Sequence, residues 1–223
     1  MKKLVCLAAA LMFTQGVQAA DPALDTDKKK IAYTLGYQLG LSMRQQGLDL
    51  DAETASLAVK DVFSDKPPKL SQTEMQAVVQ TMNAMILQKQ VEVADKNYKA
   101  GQAFLAENKD KEGVKTTSSG LQYKVVTKGD GKKPTSSNTV VAHYEGRLIN
   151  GTVFDSSIKR GTPATFPVSG VIKGWQEALQ LMKEGDKWQV YIPSDLAYGE
   201  KGVGRNIGPN ETLVFDIELI KVN

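Results

Sequence analysis

With 223 residues, 41% of them hydrophobic and 24% charged, the chain is long enough for one large domain or two small ones and has an ordinary globular composition. Its 28 basic residues against 25 acidic ones give no charge excess of the kind that marks nucleic acid or a membrane surface as a partner. One histidine and one cysteine exclude His-based metal clusters and an internal disulfide framework.

The chain opens with a basic start (Lys2, Lys3), an apolar stretch from Leu4 to Phe13 and small residues at Ala19 and Ala20. Residues 1–20 read as a secretory signal peptide. The apolar run is shorter than the roughly 20 residues a spanning helix needs, so no stable membrane insertion is expected. Cys6 lies inside this leader without the small residues of a lipoprotein box, and its removal leaves a cysteine-free mature chain. Loss of Lys2 and Lys3 leaves 26 basic residues against 25 acidic ones, close to neutrality.

Three helical segments follow. In "DTDKKKIAYTLGYQLGLSMRQQG", Ile31, Leu35, Leu39 and Met43 recur every four residues beside a small stripe of Ala32, Gly36 and Gly40, with Gly47 as a stop. A second helix is expected from about Asp51, with Ala55, Ala58, Val59, Val62 and Phe63 on one side and "DKPPK" ending it. The third begins at "SQTE", where Ser71 and Glu74 have capping-box spacing, and nothing breaks it before Lys111. Its first half carries an apolar stripe of Met75, Val78, Val79, Met82, Met85 and Ile86, the methionines reading as adaptable core filling. The second half is mostly polar and reads as a solvated rod, with Gly101 a place for it to bend. Two short helices and half a long one make a thin core, so residues 21–70 are expected to form a dimerisation region. Residues 71–113 are then a connecting helix whose first half completes the dimer core.

From about Val114 the texture becomes β-rich. "GLQYKVV", "NTVVAHYEGRL", "DKWQVYIPS" and "TLVFDIELIKV" read as strands, and Asn150-Gly151 as a hairpin turn. One helix interrupts them, "GWQEALQLMKEGD", with Trp175, Ala178, Leu179 and Met182 on one face and Gly185 past its end. Residues 114–223 are therefore expected to be an antiparallel α+β domain.

Little in this half suits covalent chemistry. His143 stands alone without a "GxSxG" elbow, which favours a structural or surface role. The glycines of "GEKGVGRNIGPN" lack "GK[ST]" and precede a strand, so they do not cradle phosphate. Glu145, the carboxylate nearest Asp155 across the hairpin, falls on the opposite face by alternation, which removes a paired-carboxylate hydrolase. What is left is an aromatic and apolar group around one polar cluster, suited to a reaction that breaks no covalent bond.

"VAHYEGRLINGTVFDSS", "VIKGWQEALQLMKEGD", "IPSDLAYGEKGVG" and "NETLVFDIELIKV" resemble, in order and spacing, the macrolide-binding prolyl isomerases, the FKBPs. "AFLAENKDKEGVKTTSSGLQYKV" and the helices before it resemble the macrophage infectivity potentiator (Mip) branch of that family. The resemblance implies an α+β fold in which an antiparallel half-barrel sheet wraps a short helix, preceded by the helical dimerisation region and long helix. It implies a shallow proline pocket formed by Tyr144, Phe154, Asp155, Val171, Ile172, Trp175, Tyr198, Ile207 and Phe215. Trp175 would be its floor, the Ile172 N–H and Tyr198 hydroxyl would bind substrate carbonyls, Tyr144 and Asp155 would form a polar wall, and Arg160 would pair with Asp155. No cofactor and no metal are implied.

Strict alternation from a two-residue turn at Asn150-Gly151 puts Tyr144 and Asp155 on one face and Phe154 on the other, so a bulge or twist is expected near Asp155. Ala164, Gly170 and Val203 depart from residues common in single-domain family members and make the pocket wall less aromatic. The expected function is isomerisation of X–Pro bonds in exported proteins by a periplasmic homodimer, acting on unfolded or partly folded proline-containing chains and assisting their folding. An outer-membrane-associated or secreted location is the alternative to the periplasm. Macrolides such as rapamycin or tacrolimus are the expected inhibitors. The competing readings are a non-enzymatic chaperone and a surface virulence factor that uses the same domain for binding.

Overall fold

The computed structural model describes residues 23–223. The signal-peptide assignment for residues 1–20 lies outside the described residues. The chain divides after Pro68 into two compact units.

The first unit holds helices α1 (Asp27–Gln45) and α2 (Ala52–Phe63). Each starts on a side-chain cap: Thr26 Oγ1 accepts the Lys29 N–H at 3.3 Å, and an Asp51 carboxylate oxygen accepts the Thr54 N–H at 2.7 Å. Gly47, with φ of 75°, supplies the left-handed turn after α1. Apolar periodicity is present, yet α1 buries no residue and α2 buries only Asp61. A Cβ placed on Gly36 or Gly40 would meet nothing within 4 Å. Gly36 and Gly40 therefore face open space among the described residues.

The second unit begins with α3 (Gln72–Asn108), 37 residues long, whose Ser71–Glu74 capping box forms in both directions. Seven antiparallel strands follow: β1 (Val114–Thr116), β2 (Gln122–Thr127), β3 (Thr139–Leu148), β4 (Val153–Ser156), β5 (Ala164–Pro167), β6 (Lys187–Ile192) and β7 (Leu213–Val222). They are ordered β1-β2-β6-β7-β3-β4, and β5 also pairs with β3. The outer edge of β3 is thus shared, Thr139–Ala142 with β5 and Glu145–Arg147 with β4. Helix α5 (Lys173–Leu181) lies against the inner face and buries Trp175, Ala178 and Leu179. It comes close because residue 174 is glycine: a Cβ there would sit 2.4 Å from Ile192 Cγ2. Alternation along β3 sends Val140, Ala142, Tyr144, Gly146 and Leu148 inward.

Several expectations need correction. A second short helix, α4 (Ser157–Arg160), and strand β5 accompany the single helix expected here. Both are four residues long, too short for a periodic signal, and β5 is bracketed by Pro163 and Pro167. Gly185 does not cap α5, which ends at Leu181; with φ of 91° it turns the chain just before β6.

The second half of α3 is not a free rod. Leu105 is buried with Tyr191 and Val214 in a small outer core beside Phe104. The Asn108 amide donates to Gln122 Oε1 at 3.0 Å, and Gln122 Nε2 donates to the Leu105 carbonyl at 2.9 Å. Nor is Gly101 a bend. It is buried mid-helix, and a Cβ there would lie 2.2 Å from Thr212 Oγ1, so the glycine lets the helix seat on the residue preceding β7.

Candidate active site

The site is built where β3, β4 and α5 converge. The chain reverses after β3 through three residues, with Leu148 N–H donating to the Thr152 carbonyl at 2.9 Å and Gly151 at φ 87°. Arg147 then pairs with Val153, but Gly146 pairs with Asp155, so the register slips by one between them. Phe154 is the extra residue of a bulge, released from strict alternation. The longer turn and the bulge offset each other. Asp155 stands opposite Gly146, on the side expected from a two-residue turn, while Phe154 also reaches inward.

Gly146 makes this arrangement possible. A Cβ there would lie 2.6 Å from Phe154 Cε2 and Cζ and 2.6 Å from Phe215 Cε1. The two phenylalanine rings fill that space edge to face with centroids 5.6 Å apart, and Trp175 meets Phe215 edge-on at 5.3 Å and Tyr144 at 5.4 Å. Phe166 of β5 closes the group, 5.7 Å from Tyr144 and 5.6 Å from Trp175. Tyr144, Trp175, Ile207 and Phe215 are buried in one cluster against which Phe154, Phe166, Val171 and Ile172 pack half-buried.

One polar triad adjoins these rings. The Tyr144 hydroxyl donates to Asp155 Oδ2, Arg160 donates to Asp155 Oδ1, and Arg160 Nη2 donates to the Tyr144 oxygen at 2.9 Å. The carboxylate is not deeply buried, its side chain being 43% exposed. Desolvation is the largest single influence on Asp155 and opposes its charge. The Tyr144 and Arg160 hydrogen bonds and the Arg160 charge together outweigh it, so its pKa lies below the usual carboxylate range. Burial, then the bond to Asp155, pushes the Tyr144 phenol up, which keeps it a neutral donor. Ser157 steadies the backbone behind Tyr144: its buried hydroxyl accepts the Tyr144 N–H at 2.7 Å and meets His143 Nδ1 at 3.1 Å.

Two donors nearby lack partners among the described residues. Ile172 precedes the first turn of α5, and its N–H meets no acceptor among the described residues. Tyr198 lies between two 3₁₀ turns, 37% exposed, its hydroxyl unbonded among the described residues. Burial and then the Asp155 charge raise its pKa. Of the residues singled out from sequence, Tyr144, Phe154, Val171, Ile172, Trp175, Ile207 and Phe215 share the apolar cluster, Asp155 and Arg160 join Tyr144 in the polar triad, and Tyr198 is near enough to feel the Asp155 charge.

Sequence reasoning missed Gly146, Ser157 and Phe166. A glycine inside a strand pattern is itself a sign of a bulge or close approach, so Gly146 was detectable. Phe166 was hidden because a proline next to it demotes its segment as a strand. Among the described residues no group of three or more His, Cys, Asp or Glu side chains is arranged to hold a metal ion. The arrangement offers an aromatic cluster, two free donors and a fixed anion, which suits binding and desolvating a neutral planar group.

Two family profiles match the chain: FKBP-type peptidyl-prolyl cis-trans isomerase over residues 130–220, and the domain amino terminal to FKBP-type peptidyl-prolyl isomerase over residues 28–125. The chain is 45% identical to peptidyl-prolyl cis-trans isomerase Mip of Coxiella burnetii, across 100% of this chain and 99% of that protein. It is 43% identical to outer membrane protein MIP of Legionella longbeachae, across 100% and 97%. The crystal structure of FkpA from Escherichia coli superposes with a TM-score of 0.68 at 41% identity, covering 90% of this chain and 99% of that one.

Proposed function

The chain belongs to the FKBP-type peptidyl-prolyl cis–trans isomerase family and is an enzyme of that type, and we propose that it turns X–Pro bonds of exported polypeptides in the pocket around Trp175. The observation that carries this reading is an aromatic cluster beside the Tyr144–Asp155–Arg160 triad, with an unpaired Ile172 N–H at its edge and the unbonded Tyr198 hydroxyl near enough to feel the Asp155 charge.

Rotation about a prolyl amide is slow because twisting gives up resonance, at a barrier of about 18–20 kcal/mol. Water favours the planar, charge-separated form, so a proline ring held against Trp175, Phe154 and Phe215 loses some of that stabilisation. The Ile172 N–H holds a substrate carbonyl beside the proline, and Tyr198 donates to a second. Hydrogen bonds that fit the twisted geometry better than the planar one lower the barrier further. Differential stabilisation of about 4 kcal/mol gives roughly a thousandfold acceleration. Asp155 acts as a fixed charge that orients Tyr144 and Arg160, and no proton is transferred.

The enzyme works as a homodimer in the periplasm. The uncovered apolar faces of α1 and α2 and of the first half of α3 support dimerisation, and a relative named outer membrane protein MIP supports an exported setting. A client-holding role beside catalysis is favoured by Leu87, Val91 and Tyr98, exposed in a row along α3. The test is the cis-to-trans rate of a short Leu-Pro or Phe-Pro peptide with the mature protein, with and without rapamycin. Acceleration abolished by rapamycin is expected; acceleration that rapamycin leaves intact would move the site away from this pocket.

A further inference from the structure

Ile207, buried in the aromatic cluster of the pocket, lies in a glycine-rich segment. Residues 199–211 contain Gly199, Gly202 and Gly204, all at positive φ (59°, 63° and 60°), and Asn210 at φ 55°. Within the segment a Val203–Ile207 bridge and an Asn210 N–H bond to the Gly199 carbonyl at 2.8 Å supply some order. A chain this rich in glycine still loses much conformational freedom when fixed. It carries Ile207 into the pocket and begins directly after Tyr198.

Its fixed end is attached to α3, an element with no residue in the pocket. Asn97 Nδ2 donates to the Pro209 carbonyl at 2.9 Å, and Asn210 Nδ2 reaches the Ala94 carbonyl at 3.5 Å. One helical turn further on, Gly101 packs on Thr212. These contacts fall at the three- and four-residue spacing of one helix face, and Asn210 joins the helix to Gly199 at the start of the segment. Pro209 has no N–H, so its carbonyl is its only backbone hydrogen-bonding group.

We infer that α3 is part of the catalytic architecture, and that Asn97 is a positioning residue which, by holding Pro209 and with it Asn210, sets Ile207 and Tyr198 for substrate binding. The inference rests on the pocket assigned under the proposed function. Removing the Asn97 amide leaves the Pro209 carbonyl unpaired and frees one end of the segment. Substrate binding must then order it again, so the loss falls on KM and not on the turnover of bound peptide.

The experiment measures isomerisation of a short Phe-Pro peptide by the full mature chain over a range of peptide concentrations, together with amide hydrogen exchange of residues 199–211. Asn97→Ala is expected to raise KM about three- to tenfold, the loss of one hydrogen bond, with kcat within about twofold. Exchange in residues 199–211 should quicken while that of β3 and β7 does not. Asn97→Gln, which keeps the amide, should recover part of the loss, and Lys99→Ala, on an exposed face of the same helix, should change neither reading. An unchanged KM with unchanged exchange in Asn97→Ala overturns the inference. If the unmutated protein does not isomerise the peptide, the pocket assignment fails instead, and the exchange of residues 199–211 still decides whether Asn97 holds the segment.

Discussion

Asp155 keeps its charge because Tyr144 and Arg160 favour the ionised form more than partial burial disfavours it, and the sign of that balance has consequences for pH. A carboxyl whose folded pKa is depressed adds stability that is fully present above its unfolded value, about 3.9, and is lost as pH falls through the folded value. Urea melts between pH 6 and pH 3 should therefore show an acid-sensitive component that Asp155→Asn reduces. Catalysis is a different matter. Asp155 is already ionised at neutral pH, and Tyr144 and Tyr198 have phenols pushed above their ordinary value, so none of the three changes charge near neutral pH. The rate on a short Pro peptide should vary by less than about twofold from pH 6.5 to 8.5. Asp155→Asn should keep most activity, whereas Trp175→Ala, which removes the floor, should lose substrate and rapamycin binding together. A rate that followed one ionisation across that range would instead make Asp155 a proton carrier. The identity of this carboxylate was legible only from its motif; composition and spacing gave it no partner, because Arg160 reaches it from α4, a helix too short to be seen in the sequence.

Elements explain why some of the site could be read and some could not. The four long strands and α5 announce themselves by alternation and by a helical apolar face, and the Gly146–Asp155 pairing matches that of a two-residue turn because the longer turn and the bulge offset each other. The bulge was predictable as a need, since Phe154 and Asp155 could not otherwise share a side, and so was its place close to Asp155. Gly146 marks that place. Gly146→Ala would drive a methyl group into the Phe154 and Phe215 rings, at 2.6 Å from each. Overpacking of this kind costs about 1–3 kcal/mol, and the rings that must move are those that line the pocket. A lowered urea midpoint with unchanged m-value and weakened rapamycin binding are expected; a variant of native stability and affinity would mean that the bulge is softer than its packing implies. The docking face of α3 escaped notice for a related reason. Its contacts are made by Asn97, Gly101, Leu105 and Asn108, a stripe with the right period but only one large apolar member, and a search for hydrophobic periodicity passes over polar and small residues.

At the scale of the whole molecule, the two units have opposite deficits. The sheet has its own core around Trp175, Leu179, Ile192 and Ile217, and α3 adds a smaller one outside it. Helices α1 and α2 bury no apolar side chain, while Ile31, Leu35 and Leu39 are 60%, 62% and 54% exposed and Phe63 is 85% exposed. Apolar surface on that scale is rarely left in water, and Gly36 and Gly40 leave room for another helix to approach. A second copy of the chain meets both needs. Leu39→Asp places a charge in the groove that Leu39 shares with Met43, Leu50 and Val59, where it would have to be desolvated on association. The mature protein should sediment as a dimer at micromolar concentration and this variant as a monomer. Because every pocket residue belongs to the other unit, the monomer should isomerise a short peptide at nearly the native rate. It should fall behind on a protein client whose refolding waits on proline, where two linked sites raise the effective concentration of catalyst at one chain. Equal loss on peptide and protein would instead tie the helices to the pocket itself, and a wild-type monomer would leave their apolar faces to be covered by the client.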